Sequence, residues 1–184
     1  HEDFDLLKLI SKSVKDMSQG ELLQIEKARR LNIDEEVYFE IIRKKTASLI
    51  SSCCALSASA SGVSDNKINK LASFGEKIGI AFQLKDDLFD YGDKKIGKPV
   101  GIDLKEKKLT LPIIYSLNNS SKTKKRWLIN CIKNHNNNKK IIREVISHVK
   151  ETGGIEYTIS KLKQYQKEAL EELSLSLIHI SEPT

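Results

Sequence analysis

Residues 79–90 read GIAFQLKDDLFD, and the fold class follows from the helical pattern of this segment. Apolar and small residues recur there at the three- and four-residue steps of a helix, which favours a wall or cleft over open surface. On that helix Asp86 and Asp90 lie four residues apart and project from one face. Asp87 lies about 100° round the helix from Asp86. The sequence therefore predicts a long helix that carries three carboxylates near its end.

The same helical spacing recurs along the whole chain of 184 residues, and only nine Gly and three Pro interrupt it. Few helix breakers and a period of three to four residues together predict an all-α protein, and the length suits one domain. The predicted helices are about 3–30 with an interruption at Gly20, 34–61, 64–91, 111–119, 121–134, 138–151 and 155–173. Residues 92–107 are predicted to be a polar loop.

Several residues are predicted to lie in the core. The three cysteines (Cys53, Cys54 and Cys131) have no Cys-x-x-Cys spacing, so they are interpreted as small apolar residues and no zinc site is expected. Phe82 and Phe89 are also assigned to the core, because aromatic residues at helical spacing usually pack there.

The overall charge and hydropathy limit the class of protein. The net charge is +6, but the basic residues are scattered and the densest run, at 122–126, contains no aromatic residue. A solvated helix face explains such a run better than nucleic-acid binding does. No apolar run is long enough to cross a bilayer, and no signal peptide is visible. We therefore expect a soluble, cytoplasmic protein that binds no nucleic acid.

The aspartate cluster predicts a magnesium site. Three carboxylates within one turn repel one another, and a bound hard cation removes that cost. Oxygen ligands and incomplete dehydration suit magnesium that is shared with substrate phosphates. The alternative interpretation is a solvated acidic helix face, which the apolar neighbours of the cluster make less favourable. Six lysines follow the aspartate cluster: Lys94, Lys95, Lys98, Lys105, Lys107 and Lys108. Their ammonium groups could bind the oxygens of a diphosphate, or they could form a solvated basic loop.

The cluster and its surroundings resemble one known family. Residues 79–90 are similar to the second aspartate-rich motif of trans-type polyprenyl (isoprenyl) diphosphate synthases, with the order Gly-x-x-Phe-Gln-x-x-Asp-Asp-x-x-Asp intact. Gly97-Lys98, Asp103 and the KLTLP run at 108–112 resemble the block that follows. The GELLQ run at 20–24 and the Lys45-Thr46 pair match two further signatures of that family. The resemblance covers about 3–173 and implies the helical bundle of the isoprenoid synthase type.

The resemblance also implies a reaction and a set of site residues. An allylic prenyl diphosphate ionises, isopentenyl diphosphate attacks the allylic carbon, a proton is lost and diphosphate is released. The residues assigned to Mg2+ are Asp86, as a direct ligand, with Asp87 and Asp90 acting directly or through water. The residues assigned to the allylic diphosphate are Lys45, Thr46, Gln83, Lys98 and Lys108. The main catalytic roles fall to Asp86, Asp87, Lys45 and Lys98. The family also implies a homodimer.

Some family features have no counterpart in the chain. The first aspartate-rich motif and the basic residues that the family uses for isopentenyl diphosphate are expected N-terminal to His1. We therefore interpret residues 1–173 as the C-terminal part of one synthase domain whose N-terminal helices are missing, and we expect this fragment alone to be inactive. Residues 174–184 break the amphipathic pattern and are interpreted as a non-native or disordered tail.

Two other classes of protein share parts of this pattern. A non-catalytic subunit of a heteromeric prenyl synthase would be expected to lose the aspartates, and all three are present. A class I terpene cyclase shares the metal chemistry but would lack the Gly97-Lys98 pair and the KLTLP run. Both alternatives therefore fit the sequence less well than a synthase does.

Overall fold

The structure, a computed structural model, describes residues 4–31, 34–92 and 100–177. Over these residues it contains helices and turns but no strand, which confirms the all-α prediction. The helices are α1 (Phe4–Arg30), α2 (Glu35–Ile42), α3 (Ser48–Ala60), α4 (Asp65–Phe89), α5 (Ile102–Lys105), α6 (Leu111–Asn119), α7 (Lys122–Asn134), α8 (Lys139–Glu151) and α9 (Gly154–Leu177). A π-helical segment, Arg43–Ala47, joins α2 to α3.

Short polar side chains start three of these helices. Asp34 accepts a hydrogen bond from the N–H of Val37 at 2.8 Å, which caps α2. Ser121 accepts from the third residue of α7, and Asn138 accepts from two N–H groups in the first turn of α8. Such caps satisfy N–H groups that have no partner inside the helix, and they fix where each helix begins.

The described residues form two units, each with its own set of internal contacts. The first unit consists of 4–22, 40–83 and 162–177; the second consists of 23–31, 34–39, 84–92 and 100–161. In the second unit α6, α7 and α8 pack against one another. Their fully buried residues include Leu111, Ile113, Leu128 and Val149.

Several helix boundaries differ from the predictions. The predicted interruption at Gly20 is wrong, because α1 runs through it without a break. A Cβ atom added at Gly20 would lie only 2.7 Å from the backbone nitrogen of Lys45, so the glycine permits close packing of α1 on the π-helical segment. The predicted helix 34–61 is divided by that segment, and α5 lies inside the predicted loop.

Some residues predicted to be core residues are exposed. Phe82 is 61% exposed, and Cys53 is exposed while Cys54 is half-buried. Only Cys131 is buried as predicted, in α7. Phe89 is half-buried. Helical spacing identifies residues that share a face, but it does not say whether another element covers that face, and this is why the assignments to the core failed.

One apolar stripe of the first unit also faces outward. Phe4, Leu7, Ile10 and Val14 lie on one face of α1 and are between 47% and 70% exposed. Exposed apolar side chains that line up along one helix form a contiguous patch of the kind that marks an interaction surface. In the part of the chain that the structure describes, no helix has the length and apolar character needed to cross a membrane.

Candidate active site

The three motif aspartates lie at the C-terminal end of α4, in the second unit. Asp87 is completely buried and Asp90 is 7% exposed, whereas Asp86 is half-buried. The predicted helix extended to about residue 91, and α4 ends at Phe89, so Asp90 occupies the turn that follows. The three carboxylates therefore differ in environment although they share one turn of sequence.

Asp87 is held at both carboxylate oxygens. The hydroxyl group of Tyr38 donates a hydrogen bond to Oδ2 at 2.6 Å. The ammonium group of Lys108 donates to Oδ1 at 3.2 Å, and it also donates to Oδ1 of Asp103 at 3.4 Å. Hydrogen bonds that involve a charged group are stronger than neutral ones, so this set holds the Asp87 carboxylate in one orientation.

Asp90 joins the end of α4 to the start of α5. Its Oδ1 accepts a hydrogen bond from the N–H of Ile102 at 2.7 Å, and its backbone carbonyl accepts from the N–H of Gly101 at 3.1 Å. Its Oδ2 atom is buried and has no hydrogen-bond partner among the described residues. A buried carboxylate oxygen without a partner is costly, and a bound cation removes that cost.

Burial also changes how the acidic groups of this cluster titrate. Burial raises the pKa of Asp103 to about 6; Lys108 opposes the rise, and Asp87 and Asp90 add to it. Burial also raises the pKa of Asp90. For Lys108, burial alone would lower the pKa, but the Asp87 and Asp103 carboxylates outweigh it and raise the pKa. Three acidic side chains and one ammonium group therefore share a poorly solvated region.

This arrangement fits a magnesium ion that has few protein ligands. Among the residues that the structure describes, no three His, Cys, Asp or Glu side chains converge into a ready coordination site. Magnesium is usually held by one or two carboxylates, water and substrate phosphates, so it needs no such cage. The half-buried Asp86 and the unpartnered oxygen of Asp90 supply carboxylate oxygens of the required kind.

Three of the residues predicted to bind the allylic diphosphate (Lys45, Thr46 and Gln83) lie in the first unit. Thr46 donates a hydrogen bond from Oγ1 to Oε1 of Gln83 at 2.9 Å, so two of the predicted diphosphate ligands lie together. The ammonium group of Lys45 pairs with Oε2 of Glu21 at 2.5 Å. Both partners of this ion pair are partly exposed, with 39% and 48% of the side-chain surface accessible. An exposed pair of this kind contributes little stability, so Lys45 can exchange Glu21 for another anion at low cost.

Two glycines permit the close packing around Lys45 and Thr46. A Cβ atom at Gly79 would lie 2.6 Å from Cα of Ala47, and one at Gly20 would lie 2.7 Å from the nitrogen of Lys45. Both contacts are with the π-helical segment, which carries Lys45 and Thr46. Single π-helical turns often occur at functional sites, because the wider turn changes the direction of the side chains.

The structure describes all but one of the predicted site residues. Lys98 lies outside the described residues, as do Lys94, Lys95 and Gly97. The described site residues of the second unit are Asp86, Asp87, Asp90 and Lys108. The described site residues of the first unit are Lys45, Thr46 and Gln83.

Sequence reasoning missed Tyr38, which is buried and bonded to Asp87. A tyrosine on the apolar face of α2 was a usable signal, since a buried phenol needs a hydrogen-bond partner.

Comparisons with known proteins identify the family and the fold. The family model described as polyprenyl synthetase matches residues 1–149. The heptaprenyl diphosphate synthase component 2 of Bacillus subtilis (strain 168) is 32% identical, over 91% of this chain and 47% of that protein. The geranylgeranyl pyrophosphate synthase structure from Bacteroides thetaiotaomicron matches with a TM-score of 0.85 and 38% identity, over 94% of this chain and 57% of that one.

A third match includes bound ligands. The polyprenyl synthase from Caulobacter crescentus CB15, complexed with calcium and isoprenyl diphosphate, matches with a TM-score of 0.86 and 28% identity. The match covers 93% of this chain and 53% of that one. These structural matches confirm the predicted type of helical bundle. The chain spans about half the length of the curated relatives it matches.

Proposed function

Because the chain belongs to the polyprenyl synthetase family, we propose that it serves in prenyl transfer from an allylic prenyl diphosphate to isopentenyl diphosphate. The carbon–oxygen bond of the allylic diphosphate breaks, a carbon–carbon bond forms to the isopentenyl double bond, and a proton and diphosphate are released. Each cycle lengthens the prenyl product by one isoprene unit.

The observation that carries this proposal is the excess of acidic groups at the end of α4. Asp87 and Asp103 share one ammonium group, that of Lys108, and the third carboxylate, Asp90, is also buried but does not pair with it. The buried Oδ2 atom of Asp90 has no hydrogen-bond partner within the described part of the chain. A divalent cation is the group that best balances such a cluster, and the calcium in the Caulobacter crescentus structure supports this choice.

Magnesium, when bound, would neutralise the charge that develops on the departing diphosphate. In the second unit we assign Asp86 to the direct contact with the ion, because it is the least buried of the three motif aspartates. Asp87 is tied to Tyr38 and Lys108 and holds the end of α4 in place. Asp90 is tied to α5 through Oδ1, and we assign its Oδ2 atom to the ion, directly or through water.

In the first unit we assign Lys45, Thr46 and Gln83 to the diphosphate oxygens. An ammonium, a hydroxyl and an amide group supply donors, and the ion pair of Lys45 with Glu21 is partly exposed and therefore weak. Donors that meet a leaving diphosphate stabilise the transition state more than the ground state, because negative charge grows as the bond breaks.

Lys108 is assigned differently from the sequence-based prediction. It donates to Asp87 and Asp103, so we propose that its main role is to hold these carboxylates together. Its predicted contact with the allylic diphosphate stays a prediction, as does the contact of Lys98.

The homodimer is proposed from the family resemblance. The outward apolar stripe on α1 (Phe4, Leu7, Ile10 and Val14) supports it, since such a patch favours coverage by another protein surface. Light scattering that returned the mass of a single chain at micromolar concentration would contradict the dimer. The cytoplasmic location likewise stays a prediction.

A second candidate function is that of a subunit in a heteromeric synthase. The observation in its favour is the match to a Bacillus subtilis protein that is described as one component of a heptaprenyl diphosphate synthase. The two candidates differ in one measurable respect: a homomeric synthase transfers prenyl groups by itself, whereas a component requires its partner.

The test uses the complete reading frame that contains this chain, assayed for incorporation of labelled isopentenyl diphosphate into longer prenyl products. Replacing the metal-facing carboxylate, Asp86→Ala, should lower kcat by about 100-fold or more, the size seen when a transition-state electrostatic contact is lost. Asp65→Ala removes an exposed carboxylate from the other end of α4 and should leave kcat unchanged. Unaltered turnover in the Asp86 variant would remove this residue from the mechanism.

A further inference from the structure

The hydroxyl group of Tyr38 makes an unusual contact for a buried tyrosine. Tyr38 belongs to α2, is 3% exposed, and donates to a carboxylate that has no exposed surface at all. The oxygen–oxygen distance of 2.6 Å lies in the range of hydrogen bonds between a neutral hydroxyl group and an ionised acceptor. The partner, Asp87, stands 49 positions further along the chain.

A second buried tyrosine, Tyr91, forms its hydrogen bond with a neutral side chain instead. Tyr91 is 1% exposed, and its hydroxyl group shares a hydrogen bond of 2.8 Å with the neutral side chain of Thr110. Both tyrosines belong to the second unit and are buried. Of these two tyrosines, Tyr38 is the one whose hydroxyl group donates to a motif aspartate.

The contact matters because the donors that hold Asp87 include two from different parts of the chain. Tyr38 from α2 holds one oxygen, and Lys108, from the segment between α5 and α6, holds the other. Asp87 lies within the last turn of α4, next to Asp86. A carboxylate held from both sides fixes the position of the turn that carries it, so the direction of Asp86 depends on these two donors.

We propose that Tyr38 is a positioning residue for the aspartate cluster. Its hydroxyl group holds Asp87, and through Asp87 it orients the turn that presents Asp86 to a divalent cation. The proposal rests on the proposed function, in which that cation is shared with a diphosphate. Side chains that orient a metal ligand from outside its coordination sphere commonly change metal affinity by about 10- to 100-fold when removed.

The experiment compares Tyr38→Phe with Tyr91→Phe in the complete protein. Each change removes one buried hydroxyl group and leaves the ring in place, so both should lower thermal stability. Binding of Mg2+ in the presence of inorganic diphosphate is measured by calorimetry, and prenyl transfer is measured as a function of Mg2+ concentration. Tyr38→Phe should weaken Mg2+ binding and raise the Mg2+ concentration for half-maximal rate by about tenfold. Tyr91→Phe should change neither quantity by more than about twofold.

A double-mutant cycle with Asp87→Asn tests whether Tyr38 affects Mg2+ affinity through Asp87. If Tyr38 acts through Asp87, Tyr38→Phe should add less than about twofold to the loss of Mg2+ affinity that Asp87→Asn already shows. Independent, multiplying effects of the two changes would overturn the proposal, and so would equal Mg2+ dependence in the two tyrosine variants.

The outcomes also separate this proposal from the proposed function. A wild-type protein that binds Mg2+ with diphosphate but transfers no prenyl group would refute the transferase function alone, since the binding assay would still decide the role of Tyr38. A wild-type protein that binds no Mg2+ with diphosphate would overturn both.

Discussion

Adding one methyl group at Gly79 is expected to destabilise the first unit although it should favour the helix. Gly79 lies in the middle of α4, where alanine is intrinsically better than glycine by about 1 kcal/mol. The position faces the π-helical segment, however, and the new Cβ atom would lie 2.6 Å from Cα and 2.9 Å from Cβ of Ala47. Ordinary carbon–carbon contacts are about 3.5–4.0 Å, so roughly 1 Å of displacement is needed.

The cost of that displacement exceeds the gain in helix propensity. Overpacking a core position costs about 1–3 kcal/mol, and the upper end applies because the atom in contact belongs to the backbone of Ala47 rather than to a flexible side chain. Subtracting the gain of about 1 kcal/mol leaves a net loss of about 2 kcal/mol for Gly79→Ala. For a chain of this size, that loss corresponds to a fall in Tm of about 4–8 °C.

The assay is thermal unfolding followed by circular dichroism, with Asn69→Ala as the matched control. Asn69 is exposed on the same helix, so its replacement should change the free energy of unfolding by less than about 0.5 kcal/mol. A Tm for Gly79→Ala equal to or above that of the wild type would refute the argument from close packing. In that case helix propensity alone would explain the result.

Two further predictions concern charged groups. Lys108→Met removes the cation that Asp87 and Asp103 share, and urea unfolding should show a loss of about 3 kcal/mol or more, because a buried charge is left without its partner; no change in the urea midpoint would contradict this. The carboxylate of Glu172 accepts from Lys77 at 2.6 Å and from Ser73 at 3.0 Å, and these bonds lower its pKa. The folded state therefore holds this proton less tightly than the unfolded chain does, so the stabilisation is present above the unfolded pKa and is lost as the pH falls through the lowered folded value. Glu172→Gln should flatten the acid side of a plot of Tm against pH, and an unchanged slope there would exclude this contribution.

Local signals in the sequence were enough to place most helices. The prediction for α6, 111–119, matches the structure, and α7 and α8 were placed within one residue at their first turns. Ser121 and Asn138 cap α7 and α8, and a proline lies in the first turn of α6; each of these signals acts within three residues. Short-range hydrogen bonding of this kind depends on neighbours in sequence, so it can be read without a fold.

Packing could not be read in the same way. The sequence predicts a break at Gly20, whereas the structure has a point of close approach between α1 and the π-helical segment there. The sequence also predicts a core position for Phe82, which is largely exposed. In both cases the sequence pattern describes one helix alone, while the outcome depends on what lies against that helix.

The aspartate cluster likewise has some features that follow from the local sequence and others that depend on packing. The family resemblance and the placing of Asp86, Asp87 and Asp90 within one turn follow from the sequence, because the motif is contiguous and helical geometry is regular. The burial of Asp87 between Tyr38 and Lys108, and the link that Asp90 makes between α4 and α5, depend on the packing of the folded chain. Tyr38 and Asp87 are 49 positions apart, and a hydrogen bond between them exists only because packing brings α2 to the end of α4.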